Sequence, residues 1–329
     1  MTKWLLVETF GSVPPTVIGL GGSPRSMTPL TKALNQGGSL REVESAIANV
    51  KETKLPLDVV SKNRRVVAVP LISYRGDVHG IHVWSGQLGE TPPPRDTAGA
   101  WYFNLTTDVI GGSDELLDLY GVPADKRQHE RVTAEAFTRL LANVDFAAGL
   151  AKLVRSEPGE EHQAIWTVIR DDGARRAAHF SFRAVAETNT LGKQEVVLRG
   201  ITHDLGPAET SPAAPPPIVL EQRLLESMAE PGQHRAIVNL KTFRILRWLD
   251  EPMQDLGWEM DERNPLPWIH DDDLPLARSL AFTLGKATKA TATLRFRGRD
   301  ASWLPLVVVA NLVLLDEHTT AALFTLTLP

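Results

Sequence analysis

The chain has no cysteine in its 329 residues. That absence excludes disulfides, thiolate metal sites and a cysteine nucleophile, and it fits a reducing compartment. Long apolar runs are missing too. The apolar stretch after Met1 is too short for a signal peptide, and nothing reaches the roughly 20 residues of a membrane span. The expectation is a cytoplasmic protein with no membrane partner. A basic excess is also lacking: 35 Lys and Arg stand against 40 Asp and Glu, for a net charge of −5. The tightest basic cluster, Lys62-Asn63-Arg64-Arg65, reads as a solvated turn. A nucleic-acid partner needs a broader basic face, so none is expected.

What is present is ordinary globular material, 43% hydrophobic and 23% charged, in a chain long enough for two or three cores. Residues 1–95 form a first unit. Trp4 to Val7 predicts a strand, followed by thirty residues rich in Gly, Pro, Ser and Thr. Gly19-Leu20-Gly21-Gly22 reads there as a flexible loop, because prolines follow where a dinucleotide fold needs a helix. Ser39 with Glu42 predicts a capping box opening a helix, with Leu40, Val43, Ile47 and Val50 as its apolar stripe. Strands follow at 57–61, 65–73 and 78–84, the last two joined by an Arg75-Gly76-Asp77 turn. His79 and His82 lie three apart on one strand, so alternation puts them on opposite sides.

Residues 97–206 form a second unit. It has a strand at 100–105, a helix capped by Ser113, a helix at 133–141, and a helix opened by Asp145. Three strands close it. They run up to the Asp171-Asp172-Gly173 turn, over 175–185, and over 195–201. Residues 207–217 are a Pro-rich linker, and 218–230 a connector helix with Leu220, Leu224 and Met228 at helical spacing. Local packing and a transmitting or homodimer contact are both open readings of that helix. Residues 231–329 form a third unit that repeats the second. Asn104 matches Asn239, the Ser113 helix matches a helix over 250–257, and Asp145 matches Asp273. At a constant offset of 125, Arg170 matches Arg295, Gly173 matches Gly298, Asp172 matches Arg297 and His179 matches Leu304.

This order of elements resembles the PAS domain. Arg170-Asp171-Asp172-Gly173 and the closing Gly200 to Asp204 look like the hairpin and last strand of its PAC segment. Trp268 to Asp273 looks like the lead into the last PAS helix. The first unit resembles a GAF domain through Val67 to Leu71, Gly76 and Val78 to Val83. The whole chain looks like actinobacterial triple-sensor proteins of GAF–PAS–PAS layout. The resemblance implies an α+β fold of three small domains, each an antiparallel sheet with flanking helices. It also implies a non-catalytic sensor or adaptor that binds a small molecule, a signalling protein, or both. With no cysteine, a chromophore linked through one is excluded, and the cofactor stays unknown.

The candidate ligand-pocket residues are Trp101, Phe103, Trp166, His179, Phe180 and Phe182. His179 points into that pocket only if its face of the strand is the inner one; Phe180 and Phe182 compete for it. Leu220, Leu224 and Met228 are the transmission candidates. His270-Asp271-Asp272-Asp273 is not read as a metal site, because consecutive loop side chains diverge. Gly111-Gly112-Ser113-Asp114-Glu115 differs from a diguanylate cyclase signature by the inserted Ser113. No catalytic residues are assigned. An empty interaction scaffold and, further off, a metal-dependent enzyme are the alternatives.

Overall fold

The computed structural model describes residues 3–34, 38–61, 64–143, 145–216, 223–224, 227–259 and 268–329. Each third of the chain builds one antiparallel sheet. The first holds β1 (Leu5–Glu8), β2 (Thr16–Leu20), β3 (Ser23–Pro29), β4 (Leu57–Ser61), β5 (Arg64–Ile72) and β6 (Val78–Gln87), in the order β3-β2-β1-β6-β5-β4. The Gly-rich stretch expected as a loop is instead the β2–β3 hairpin. Leu20 pairs with Ser23 around Gly21-Gly22, and Gly21 sits at φ +53. Two glycines give a two-residue turn the positive φ it requires. Helix α1 (Leu30–Ala33) and helix α2 (Gly38–Thr53) follow. Helix α2 begins one residue before the expected Ser39 cap. It lays Val43, Ala46, Ile47 and Val50 on the Leu5, Val7, Val17, Ile81 and Val83 face of the sheet.

The middle sheet comprises β7 (Ala98–Asn104), β8 (Val109–Gly112), β9 (Glu130–Val132), β10 (Glu161–Ile169), β11 (Arg175–Thr188) and β12 (Gln194–Pro207), ordered β10-β11-β12-β7-β8-β9. Helices α3 (Asp114–Leu119), α4 (Thr133–Phe137) and α5 (Phe146–Val154) lie between its strands in sequence. Ser113 caps α3 by accepting from Leu116 N at 3.3 Å. The helix expected over 133–141 stops at Phe137. Asp145 stands at the start of α5, but its side chain makes no cap hydrogen bond.

The third sheet comprises β13 (His234–Val238), β14 (Ile245–Trp248), β15 (Lys289–Arg297), β16 (Trp303–Leu314) and β17 (Thr320–Thr327), with helix α6 (Leu274–Leu284). No helix forms at 250–257. Asp250, expected at its start, is taken by Arg235, whose N, Nε and Nη2 donate to it at 2.9, 2.8 and 2.7 Å. Asp273 likewise serves Arg295 at 2.8 and 2.9 Å rather than capping α6.

The repeat is real, but its register differs from the constant offset read in the sequence. Both copies share one strand order, β8-β7-β12-β11-β10 and β14-β13-β17-β16-β15. In the middle copy Ile169 pairs with Arg175; in the third, Arg297 pairs with Trp303. The offset at this hairpin is therefore 128. Arg170 matches Gly298, and Gly173, at φ +82, matches Ala301, at φ +66. Asp172 matches Asp300, and each accepts the backbone N–H two residues on, at 3.0 and 2.9 Å. His179 matches Val307. The like pairs Arg170/Arg295 and Gly173/Gly298 pull a sequence comparison three residues out of step.

The chain packs as two units. One holds residues 1–104, 111–129 and 157–215; the other holds 105–110, 130–156 and 216–329. No helix among the described residues is long and apolar enough to cross a membrane.

Candidate functional site

Register assigns the two faces of the middle sheet. Gly99, Trp101, Gly200, Thr202, Phe180, Phe182 and Trp166 share one face. A Cβ on Gly99 would meet the backbone of Leu116, so this is the face α3 covers. Trp101 lies edge-on to Phe182 at 5.9 Å, and Gly200 leaves room for its ring: a Cβ there would come within 2.2 Å. Trp166 packs against Phe180 at 6.1 Å, and Phe103 is fully buried. Trp101 Nε1 and Thr202 Oγ1 are buried on this face without hydrogen-bond partners among the described residues. Such orphans mark a place for a water or a small polar ligand.

His179 lies on the opposite face, with Ser181, Ile201 and His203. That face packs against the first sheet: Leu6, Phe10, Ile18 and Leu71 meet Ala98, Ala100 and Ile201. His79 and His82 both reach this seam. Leu71 pairs with Gly80 but Ile72 with Val78, so His79 is the extra residue of a β-bulge and strict alternation fails. His79 Nδ1 lies 3.2 Å from Gly200 O. Burial pushes His79 and His179 down to about 4, and holds His82 and His203 below the usual imidazole range. All four are therefore neutral near pH 7. Among the described residues no set of His, Asp and Glu converges as a metal site.

The seam is also stitched by polar contacts. Gln163 accepts from Met27 N at 3.0 Å and donates to Arg25 O at 3.0 Å and Ser181 Oγ at 2.9 Å. Arg183 reaches the buried Glu8 at 3.5 Å. Within the middle domain, Arg170 donates to the α3 carbonyls of Asp118 and Leu119 at 3.2 and 2.7 Å, a cation where the helix dipole is negative.

Among its described residues, the other unit buries one acid. Asp108, at φ +56, accepts from Thr242 and lies near Arg244. Burial pushes its carboxyl up to about 6 despite those two groups, and burial brings Arg244 down to about 10. The void beside it, about 10 Å³, has room for about one water.

A roomier opening lies in the first domain. A cavity of about 570 Å³ is bounded by Leu5, Val17, Leu20 and Leu34 together with Lys3, Arg25 and Lys32. That volume falls within the roughly 300–1,000 Å³ of small-molecule sites. Sequence reasoning missed these residues. One signal was available: from Thr9 to Arg41 the chain carries no acid.

Of the transmission candidates, Leu224 and Met228 are 53% and 67% exposed, and Leu220 lies outside the described residues. Lys62 and Asn63 also lie outside them, while Arg65 pairs with Asp58 at 2.6 Å.

Successive stretches of the chain match three domain families described as Rv3651-like: the N-terminal one over residues 3–94, the middle domain over 97–204 and the C-terminal domain over 218–329. A crystal structure of an uncharacterised Mycobacterium tuberculosis protein is similar along the whole length. It shares 30% identity at a TM-score of 0.85, covering 100% of this chain and 97% of that one. The chain belongs to the Rv3651-like family. Its three-sheet layout is thus that of an Rv3651-like protein from end to end. Partial likenesses extend to a sensory box histidine kinase/response regulator from Burkholderia thailandensis, at 19% identity over 34% of this chain and 79% of that one, TM-score 0.25. They extend also to an RNA-binding light-oxygen-voltage receptor, at 12% identity over 70% of this chain and 95% of that one, TM-score 0.27. Scores that low carry no argument for this Rv3651-like chain. No curated protein matches it.

Proposed function

We propose that this Rv3651-like chain is a non-catalytic sensor that takes its input in the first domain and relays it through the middle sheet to a signalling partner. The carrying observation is the first-domain cavity and its link to the seam. Arg25 lines the cavity, and its carbonyl is held by Gln163 of the middle sheet. A ligand that shifts β3 therefore pulls on β10 directly. The order β3-β2-β1-β6-β5-β4 supports a GAF-like first domain, and the shared order of the two later sheets supports PAS-like copies.

The test is thermal-shift screening of the full chain against a chemically diverse small-molecule library, beside Ala33→Trp, which fills the cavity from α1. Compounds that raise the midpoint of the wild type and not of the variant support the reading. Compounds that shift both equally contradict it.

An empty scaffold is the second reading. The close packing of Trp101, Gly200 and Phe182 favours it for the middle domain. It predicts that no library compound shifts the wild type.

A further inference from the structure

The first-domain cavity has a one-sided charge. Its described lining includes Lys3, Arg25 and Lys32 and no acid. Acids make up about one residue in eight of the chain and outnumber bases overall. An acid-free lining drawn mostly from an acid-free stretch of 33 residues therefore departs from the composition around it. Among the described residues, none of the three cations has a carboxylate partner. Unlike Arg65, Arg183, Arg199 and Arg295, which are all paired, these three are left to whatever enters.

Two of the cations are also placed. The Lys3 stem runs along the β2–β3 turn, where a Cβ on Gly21 would lie 3.0 Å from its Cδ. Arg25 projects from a strand whose backbone is gripped by Gln163. The lining also holds aliphatic residues, Leu5, Val17, Leu20 and Leu34. Leu5, Val17 and Leu34 belong to the buried core and Leu20 is half-buried, so the cavity opens onto the edge of that core.

Resting on the sensor reading above, we infer that the cavity takes an anionic amphiphile, with a carboxylate-type head at Lys3, Arg25 and Lys32 and an apolar body over the leucines. The head meets cations that have no carboxylate partner, and the body packs against the aliphatic lining around Leu20. Because Arg25 is both a head contact and a seam residue, head-group binding is the event the middle sheet feels.

The experiment is isothermal titration of the full chain with decanoate, 1-decanol and inorganic phosphate. Lys3→Ala, Arg25→Ala and Lys32→Ala are each run with thermal midpoints as a folding control. The expected result is one decanoate per chain, bound at least tenfold more tightly than either other probe. Arg25→Ala weakens decanoate by about tenfold, the worth of one charge-assisted hydrogen bond, and leaves 1-decanol unchanged. Equal binding of 1-decanol overturns the anionic head but leaves a sensor with an apolar ligand. Equal binding of phosphate overturns the apolar body. Failure of decanoate to bind overturns the inference altogether; the sensor reading then stands or falls on whether Ala33→Trp abolishes the library shifts.

Discussion

The middle and third domains are one fold twice, and they fill the same core position in opposite ways. In the middle copy the cross-strand trio is Trp101, Gly200 and Phe182. At the equivalent pairs of the third copy it is Ala236, Phe324 and Ala310. Large–small–large has become small–large–small, with the third copy's trio the smaller of the two. Cores tolerate such swaps only when they are made together. The two faces diverge at other positions as well. His179 in the buried seam corresponds to Val307, which is half-buried, and Thr202 corresponds to Leu326. At these two positions the middle copy keeps a buried polar group on each face where the third has an aliphatic.

The sharpest way to break this comparison is to move one member of a trio alone. Gly200→Phe puts a ring where Trp101 lies and should cost at least 3 kcal/mol of stability. Phe324→Ala should cost about 3–5 kcal/mol through the cavity it leaves. Adding Trp101→Ala and Phe182→Ala to Gly200→Phe should recover at least half of the first loss in urea unfolding. No recovery would mean that the third copy's arrangement cannot be carried over to this position of the middle copy.

Acid comes next. The folded-state values of His79 and His179 are depressed to about 4, so the unfolded chain binds more protons between there and about 6.5. Their contribution is full above about 6.5 and is lost as pH falls toward 4. At pH 5 the loss should be about 1–2 kcal/mol per histidine. His179→Val, which installs the third copy's residue, should remove its share of that slope. Asp108 carries the opposite sign. Its value is raised to about 6, so its unit gains stability as pH falls from about 6 toward 4. Hydrogen exchange at pH 7.5 and 5 should show the seam strands losing protection and residues near Asp108 keeping theirs. Asp108→Asn should abolish the second effect while keeping the turn, because Asn tolerates φ +56.

Two smaller effects sharpen the comparison. Thr202→Val, toward the aliphatic of the third copy, should stabilise by about 1 kcal/mol if its hydroxyl has no partner. A loss would reveal a bound water or ligand on the inner face. At the hairpins, Ala301→Gly should stabilise and Gly173→Ala destabilise, each by about 0.5–1 kcal/mol, because both positions hold positive φ.

Much of this fold could be read from residues alone. Strands announced themselves by alternation, the Gly76 and Gly173 turns by their glycines, and α3 by Ser113. The repeat was legible as an order of elements. Its register was not, because Asp172 and Asp300 do the same work while Gly173 is replaced by Ala301. Asp250 and Asp273 looked like helix caps, yet each is claimed by an arginine distant in sequence. The bulge that turns His79 toward the seam left no local mark. The cavity was hidden for a similar reason. Lys3, Arg25 and Lys32 come from the segment before β1, a hairpin and a helix, and only the acid-free stretch around the last two hinted at it.

The most direct test of the sensor account is native mass spectrometry of the full chain, purified without denaturation, beside Ala33→Trp. The account predicts one added ligand mass per chain in the wild type, lost in the variant. A wild type that carries no added mass, or a variant that keeps it, would contradict an input site in the first domain.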